Sequence, residues 1–201
     1  MTLPLQRVQD NDNIRLDRGP TTYDIRQRFV ADFLYELPLR RLASVAGRKA
    51  TLAWGGWQIS GVLDAQSGSP LYITQPSAIP GSRPDYVSGR PVLSNYRETL
   101  QYLNPAAFAR VPLIAASGAT ARLGTLGRNA VRAPGSWVLD LALSKNFAFT
   151  ERWQLQVRAD MFNAFNHTNL GGVSANINAA NFGRLTSAGA RVVQLNGRLR
   201  F

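Results

Sequence analysis

Five stretches of this chain alternate apolar and polar residues with a period of two, the side-chain repeat of an extended strand. The last is the clearest. Counting back from Phe201, Leu199, Gly197, Leu195 and Val193 form one set, and Arg200, Arg198, Asn196 and Gln194 the other. The same pattern predicts strands over 23–37, 54–66, 136–149 and 153–162, with 191–201 as the fifth. In 23–37, Phe29, Ala31, Phe33, Tyr35 and Leu37 share one parity. In 54–66 it is Trp57, Ile59, Gly61, Leu63 and Ala65. In 136–149 it is Trp137, Leu139, Leu141, Leu143, Phe147 and Phe149, interrupted only by Lys145. In 153–162 it is Trp153, Leu155, Val157, Ala159 and Met161. These apolar faces run about 9–11 residues, the length a tilted strand needs to cross a bilayer. Strands of soluble domains are about half as long, at ~5–6 residues.

The expected fold is therefore all-β: an antiparallel up-and-down meander of about five long strands. It would be a partial, C-terminal sector of a transmembrane β-barrel with long outer loops. Aromatic residues support this. Threaded up and down, Tyr35, Trp54, Trp57, Phe147, Phe149, Trp153 and Phe201 fall at one end, and Tyr23, Trp137, Phe162 and Phe165 at the other. Paired aromatic girdles mark outer-membrane barrels. A terminal strand closing on Phe201 is the ending expected of such a barrel and puts that end on the periplasmic side. Connections 38–53 and 150–152 are then periplasmic and short to moderate, whereas 67–135 and 163–190 are long and extracellular. A short helix is expected around Arg97–Leu103, with the rest of 67–135 as Pro- and Gly-rich loop. Residues 1–22 read as an incoming extracellular loop and 23–201 as the barrel sector.

Composition changes this picture little. Mean hydropathy is −0.15 and 45% of residues are hydrophobic, which on hydropathy alone suggests a soluble protein. Barrels defeat that test, because polar lumen-facing residues dilute each apolar face. No apolar run approaches the ~20 residues of a spanning helix. There is no cysteine, so disulfides and thiolate metal sites are excluded. The N-terminus carries no signal-peptide pattern, so the sequence is expected to be a fragment or the tail of a longer gene. The net charge of +11 suggests a polyanionic partner. The alternative reading is thus a soluble basic β-module that binds nucleic acid or acidic polysaccharide. The arginines, however, are spread along the chain, often at alternate strand positions such as Arg26 and Arg28 or Arg198 and Arg200, which suits a polar wall and argues against nucleic acid.

Candidate chemistry is thin. His167, the one histidine, has no cysteine and few carboxylates near it in sequence, and reads as a loop residue. Asp140 and Asp160 share a parity and could be neighbours, but Arg158 and Arg184 offer counter-charges, so an ion-pair lattice is the better reading. Gly118–Asn129 lacks the ending of a phosphate-binding loop and reads as outer loop. No catalysis, metal or cofactor is expected. The even-numbered residues Gln58, Asp64, Asp140, Gln156, Arg158, Asp160, Asn196 and Arg198 are the candidates for a lumen wall.

Several stretches carry a family resemblance. They are Gly124-Thr-Leu-Gly-Arg-Asn129 leading to Ala133-Pro-Gly135, Asp140-Leu-Ala-Leu-Ser-Lys-Asn-Phe147, and Arg158-Ala-Asp-Met-Phe-Asn-Ala-Phe-Asn-His167, with Gly56-Trp57 and Ser67-Gly-Ser-Pro70. Together they resemble the C-terminal barrel region of TonB-dependent outer-membrane receptors, in particular the Oar-like (carboxypeptidase-regulatory-like) branch. The resemblance implies a part of an energy-coupled receptor for uptake of a large solute. Its implied partners are outer-membrane lipid, the remaining barrel strands and plug of a full-length receptor, and the barrel-assembly machinery. That machinery would read Val193, Leu195, Gly197, Leu199 and Phe201 as an assembly signal. An inner-membrane energy-coupling complex would be reached only through an N-terminal part not present in this sequence.

Overall fold

A computed structural model defines the chain at residues 8–39, 47–150 and 152–201. The expected lead-in loop, the connection 38–53 and the turn 150–152 each include residues outside that set. In chain order the strands are β1 (Arg28–Glu36), β2 (Trp57–Gln66), β3 (Pro70–Leu71), β4 (Asp85–Tyr86), β5 (Phe108–Ala109) and β6 (Val131–Arg132). They continue with β7 (Ser136–Ala148), β8 (Gln154–Phe162), β9 (Leu170–Gly171), β10 (Ser187–Ala188) and β11 (Val192–Arg200). Two short helices are α1 (Arg48–Trp54) and α2 (Tyr96–Thr99). The chain divides into two compact units. One comprises 27–66, 136–169 and 189–201, and the other 1–26, 67–135 and 170–188.

The first unit is the predicted meander. Its five long strands lie in the order β1-β2-β7-β8-β11, every neighbouring pair antiparallel. Directly opposed residues of antiparallel strands share a face, so register decides whether five alternating strands make one apolar surface. Here they do. Phe33 faces Gly61, Gly61 faces Leu141, Leu141 faces Met161 and Met161 faces Val193. The next row is Tyr35, Ile59, Leu143, Ala159 and Leu195. A slip of one residue in any strand would break both rows. Gly61 matters here: a Cβ at that position would lie 2.7 Å from both Leu141 Cδ2 and Phe33 Cε1, so its absence lets the Phe33 ring lie across the neighbouring strand.

These apolar rows are not buried. Phe29 is 60% and Leu195 75% exposed, and Ala142 is the one buried apolar side chain of this unit among the described residues. A sheet that leaves its apolar rows this exposed needs an apolar surrounding, and a bilayer supplies one.

The second unit holds the hydrophobic core. Ile73, Tyr102, Leu103, Ala107, Phe108, Leu126, Val131, Ile177, Phe182 and Leu185 form a single buried cluster. Phe108 and Phe182 meet edge to face at 5.6 Å, and Tyr96 and Tyr102 at 5.0 Å. Three two-residue ladders, β3–β6, β4–β5 and β9–β10, tie this unit together. The long connections are therefore folded, contrary to the expectation of Pro- and Gly-rich loop. The expected helix around Arg97–Leu103 is a single turn, Tyr96–Thr99. It ends at Leu100 with φ of 58°, after which Tyr102 and Leu103 enter the core. Gly118–Asn129, also expected as loop, sends Leu126 into the same cluster. The physical reason is solvent. Segments outside the bilayer that carry this many apolar residues must bury them against one another.

Candidate functional site on the polar face of the sheet

The even-numbered residues of the five strands share the face opposite the apolar rows. From one end, the rows read Arg28, Gln66 and Ser136; then Val30, Asp64 and Val138; then Asp32, Val62 and Asp140, with Phe162 opposite Val192; then Leu34, Ser60, Ala142, Asp160 and Gln194; then Glu36, Gln58, Ser144, Arg158 and Asn196. The last two rows are Asn146, Gln156 and Arg198, and Ala148, Gln154 and Arg200. All eight sequence candidates lie on this face.

They do not form one constellation. Asp64 pairs with Arg28 at 2.5 Å. Asp160 accepts from Arg158 Nε at 2.7 Å and from Asn196 Nδ2 at 3.0 Å, and Gln194 Nε2 donates to Asn196 Oδ1 at 3.4 Å. Gln58 and Ser144 are bonded at 3.3 Å. Asp140 is offset from Asp160 across the β7–β8 pair, since Ala142 opposes Asp160. Its Oδ1 instead accepts the backbone N–H of Asn163 at 2.8 Å. Arg184, weighed above as a counter-charge, belongs to the other unit, where it pairs with Gln101. Gln156 and Arg198 line a groove of about 310 Å³ with Asn146, Phe147, Ala148, Gln154, Leu155 and Arg200.

The turn after β8 contains a device that sequence reasoning left unread. Asn163, 6% exposed, sits at φ of 52°. Its Nδ2 donates to the His167 carbonyl and its Oδ1 accepts the His167 N–H, both at 2.9 Å. Asn166, at φ of 51°, accepts the Arg191 N–H at 3.3 Å. Asn169 exchanges two bonds with the Trp137 backbone, at 2.8 and 3.0 Å. The His167 ring stacks on Trp137 at 4.3 Å. Three asparagines in seven residues after a strand were the available signal, because Asn tolerates the left-handed region and closes turns with its side chain.

Aromatic residues cluster at the opposite strand ends too. Trp153 stacks on Phe201 at 5.7 Å, and Phe147 on Phe149 at 6.0 Å. Lys145, the one cation on the apolar face, is 3% exposed. Its Nζ donates to the Gly55 carbonyl and lies over the Trp57 and Phe147 rings, 5.3 and 4.9 Å from their centroids. Its stem crosses apolar surface while its head finds polar and aromatic partners, as snorkelling lysines do. Gly56, at φ of 74°, makes this possible. Its carbonyl accepts the Asn146 N–H at 2.9 Å, and a Cβ there would sit 2.5 Å from the Asn146 oxygen.

The folded connections neutralise charges among themselves. Arg83, 2% exposed, binds Asp17 at 2.6 Å, the Leu16 carbonyl at 3.0 Å and the Leu126 carbonyl at 2.9 Å. Burial works to raise the Asp17 pKa. Its hydrogen bonds from Arg83 and the Gln9 N–H outweigh that and hold it below the usual carboxylate value. Asp85 is held low chiefly by the Arg122 guanidinium, with help from the Thr125 N–H. Burial, with Tyr96 nearby, pushes the Tyr102 phenol up to about 12. These are structural pairings, and none of them points to a reaction.

An open antiparallel sheet with one apolar face, aromatic clusters at both strand ends and an internally bonded polar face is a sector of a transmembrane β-barrel. A family described as outer membrane beta barrel domain matches residues 3–194. The chain belongs to that family, and its place is the bacterial outer membrane. No curated protein and no solved structure matches it.

Proposed function

We propose that this chain is the C-terminal barrel sector of an energy-coupled receptor that takes up a large solute, and that it supplies wall rather than chemistry. The observation that carries the reading is the pair of free sheet edges: among the described residues, β1 and β11 each have one long-strand neighbour. Five strands cannot enclose a lumen, since even small barrels need about eight. A sheet with a bilayer-type face and two open edges is part of a larger wall. The likeness of Arg158–His167 and its companion motifs to TonB-dependent receptors supports the receptor type. In this reading a plug contacts the polar face and the barrel-assembly machinery reads β11 with Phe201. The inner-membrane coupling complex acts through another part of the receptor.

The test is genetic. The chromosomal segment encoding residues 23–201 is removed in frame in the source bacterium. Growth on solutes too large for general porins is then compared with and without a protonophore. Loss of proton-gradient-dependent growth on one such solute is expected. Unchanged uptake of every such solute would overturn the reading.

A further inference from the structure

The polar face changes character along its length. In the rows before the last two, several polar side chains satisfy one another: Arg158, Asp160, Asn196 and Gln194 form one chain of bonds, and Gln58 bonds Ser144. In the last two rows they do not. Asn146, Gln154, Gln156, Arg198 and Arg200 come from three strands and line one groove of about 310 Å³. None of these five side chains has a hydrogen-bond or ion-pair partner among the described residues. Among the described residues no carboxylate lines the groove, and the nearest on this face in β8, Asp160, already has Arg158 and Asn196.

We propose that this groove binds a phosphate group. Arg198 and Arg200 are two residues apart on β11, so their side chains leave the same face about 7 Å apart. Each lies directly opposite a glutamine, Arg198 opposite Gln156 and Arg200 opposite Gln154. Guanidinium forks and amide N–H groups are the donors that oxyanions require, and Arg binds phosphate in a bidentate manner. Two cations and three amides around one concavity, none of them partnered among the described residues, make a donor-rich cradle. The carrier of the phosphate is either a soluble molecule entering from the polar face or a lipid headgroup reaching the strand ends. The inference rests on the groove alone and does not depend on the uptake reading.

The experiment uses the full chain folded in octyl glucoside micelles, a detergent that carries no charge and no phosphate, with β-structure checked by far-UV circular dichroism. Inorganic phosphate is titrated and its ³¹P line width followed. Saturable broadening is expected, weakened about tenfold in Arg198→Gln and in Arg200→Gln, the worth of one charge-assisted bond. Arg97→Gln, in the other unit, is expected to bind like the wild type. Arg200→Lys keeps the charge and removes the planar fork, so it too weakens binding and serves if the glutamine variants do not fold. Doping the micelles with phosphatidylglycerol separates the sources: competition assigns the site to a lipid phosphate, and its absence to a soluble one. No saturable broadening in the wild type, or equal broadening in all variants, would overturn the proposal.

Discussion

At the scale of single residues, the turn after β8 shows how a short motif becomes structure. Asn163 performs two jobs, adopting a left-handed backbone and clamping His167 with both ends of its amide. Glycine keeps the first and loses the second; alanine loses both. Asn163→Gly is therefore expected to cost about 1–3 kcal/mol, the net worth of two hydrogen bonds. Asn163→Ala should cost roughly a further 1 kcal/mol for the left-handed conformation. Urea unfolding of the full chain in micelles ranks the three; a glycine variant as stable as wild type would remove the clamp from the account. The folded connections carry a second residue-scale signature. The phenol of Tyr102, raised to about 12 by burial, donates to the Arg132 carbonyl at 2.7 Å. A raised folded-state pKa means stability is fully present below the ordinary value of 10.0 and is lost as pH rises through about 12. Asp17 and Asp85 act with the opposite sign. Their depressed values give stability that is present above the ordinary 3.8 and lost as pH falls through the folded-state values. Burial also raises the Tyr72 phenol, so spectroscopic titration of tyrosine should show late phenols, of which Tyr102→Phe removes the one near 12.

At the scale of elements, the strands were legible because alternation is a local signal and these strands are long. Leu139, Leu141 and Leu143 announce a face without help from the fold. Register was not legible: that Gly61 stands between Phe33 and Leu141 depends on turns and on pairing at a distance. The polar face was legible as a face but not as bonds, so Asp140 looked like a partner of Asp160 when it serves the Asn163 backbone. The small ladders of the connections gave no period at all, since two-residue strands have none. Strand parity makes its own prediction. Gln194 and Leu195 are adjacent on β11, and both are exposed. In water, arginine at either position would be nearly neutral. In a bilayer, Leu195→Arg should cost about 2–4 kcal/mol near the midplane, while Gln194→Arg should cost little. Folding yield into lipid vesicles reads the difference, and equal yields would reverse the assignment of the two faces.

At the scale of the whole molecule, the sheet unit presents Phe29, Phe33, Leu195 and Leu199 as exposed apolar residues and leaves the outer edges of β1 and β11 open. Open edges and a broad apolar face both promote association. Expressed without detergent, the chain is expected to aggregate; a monodisperse species with a cooperative thermal transition in plain buffer would contradict the bilayer role of the odd face. The other unit has a history written into its connectivity. Its core joins Ile73 to Ile177 and Leu103 to Leu185, and its buried ion pair joins Asp17 to Arg83. Three separate lengths of chain must meet before all of these contacts exist. The cluster is therefore incomplete until Ile177, Phe182 and Leu185 have emerged, the first of them 46 positions after Val131. A chain that must pass one membrane unfolded and enter another benefits from that delay, since its most globular part cannot close its core until its last length has emerged.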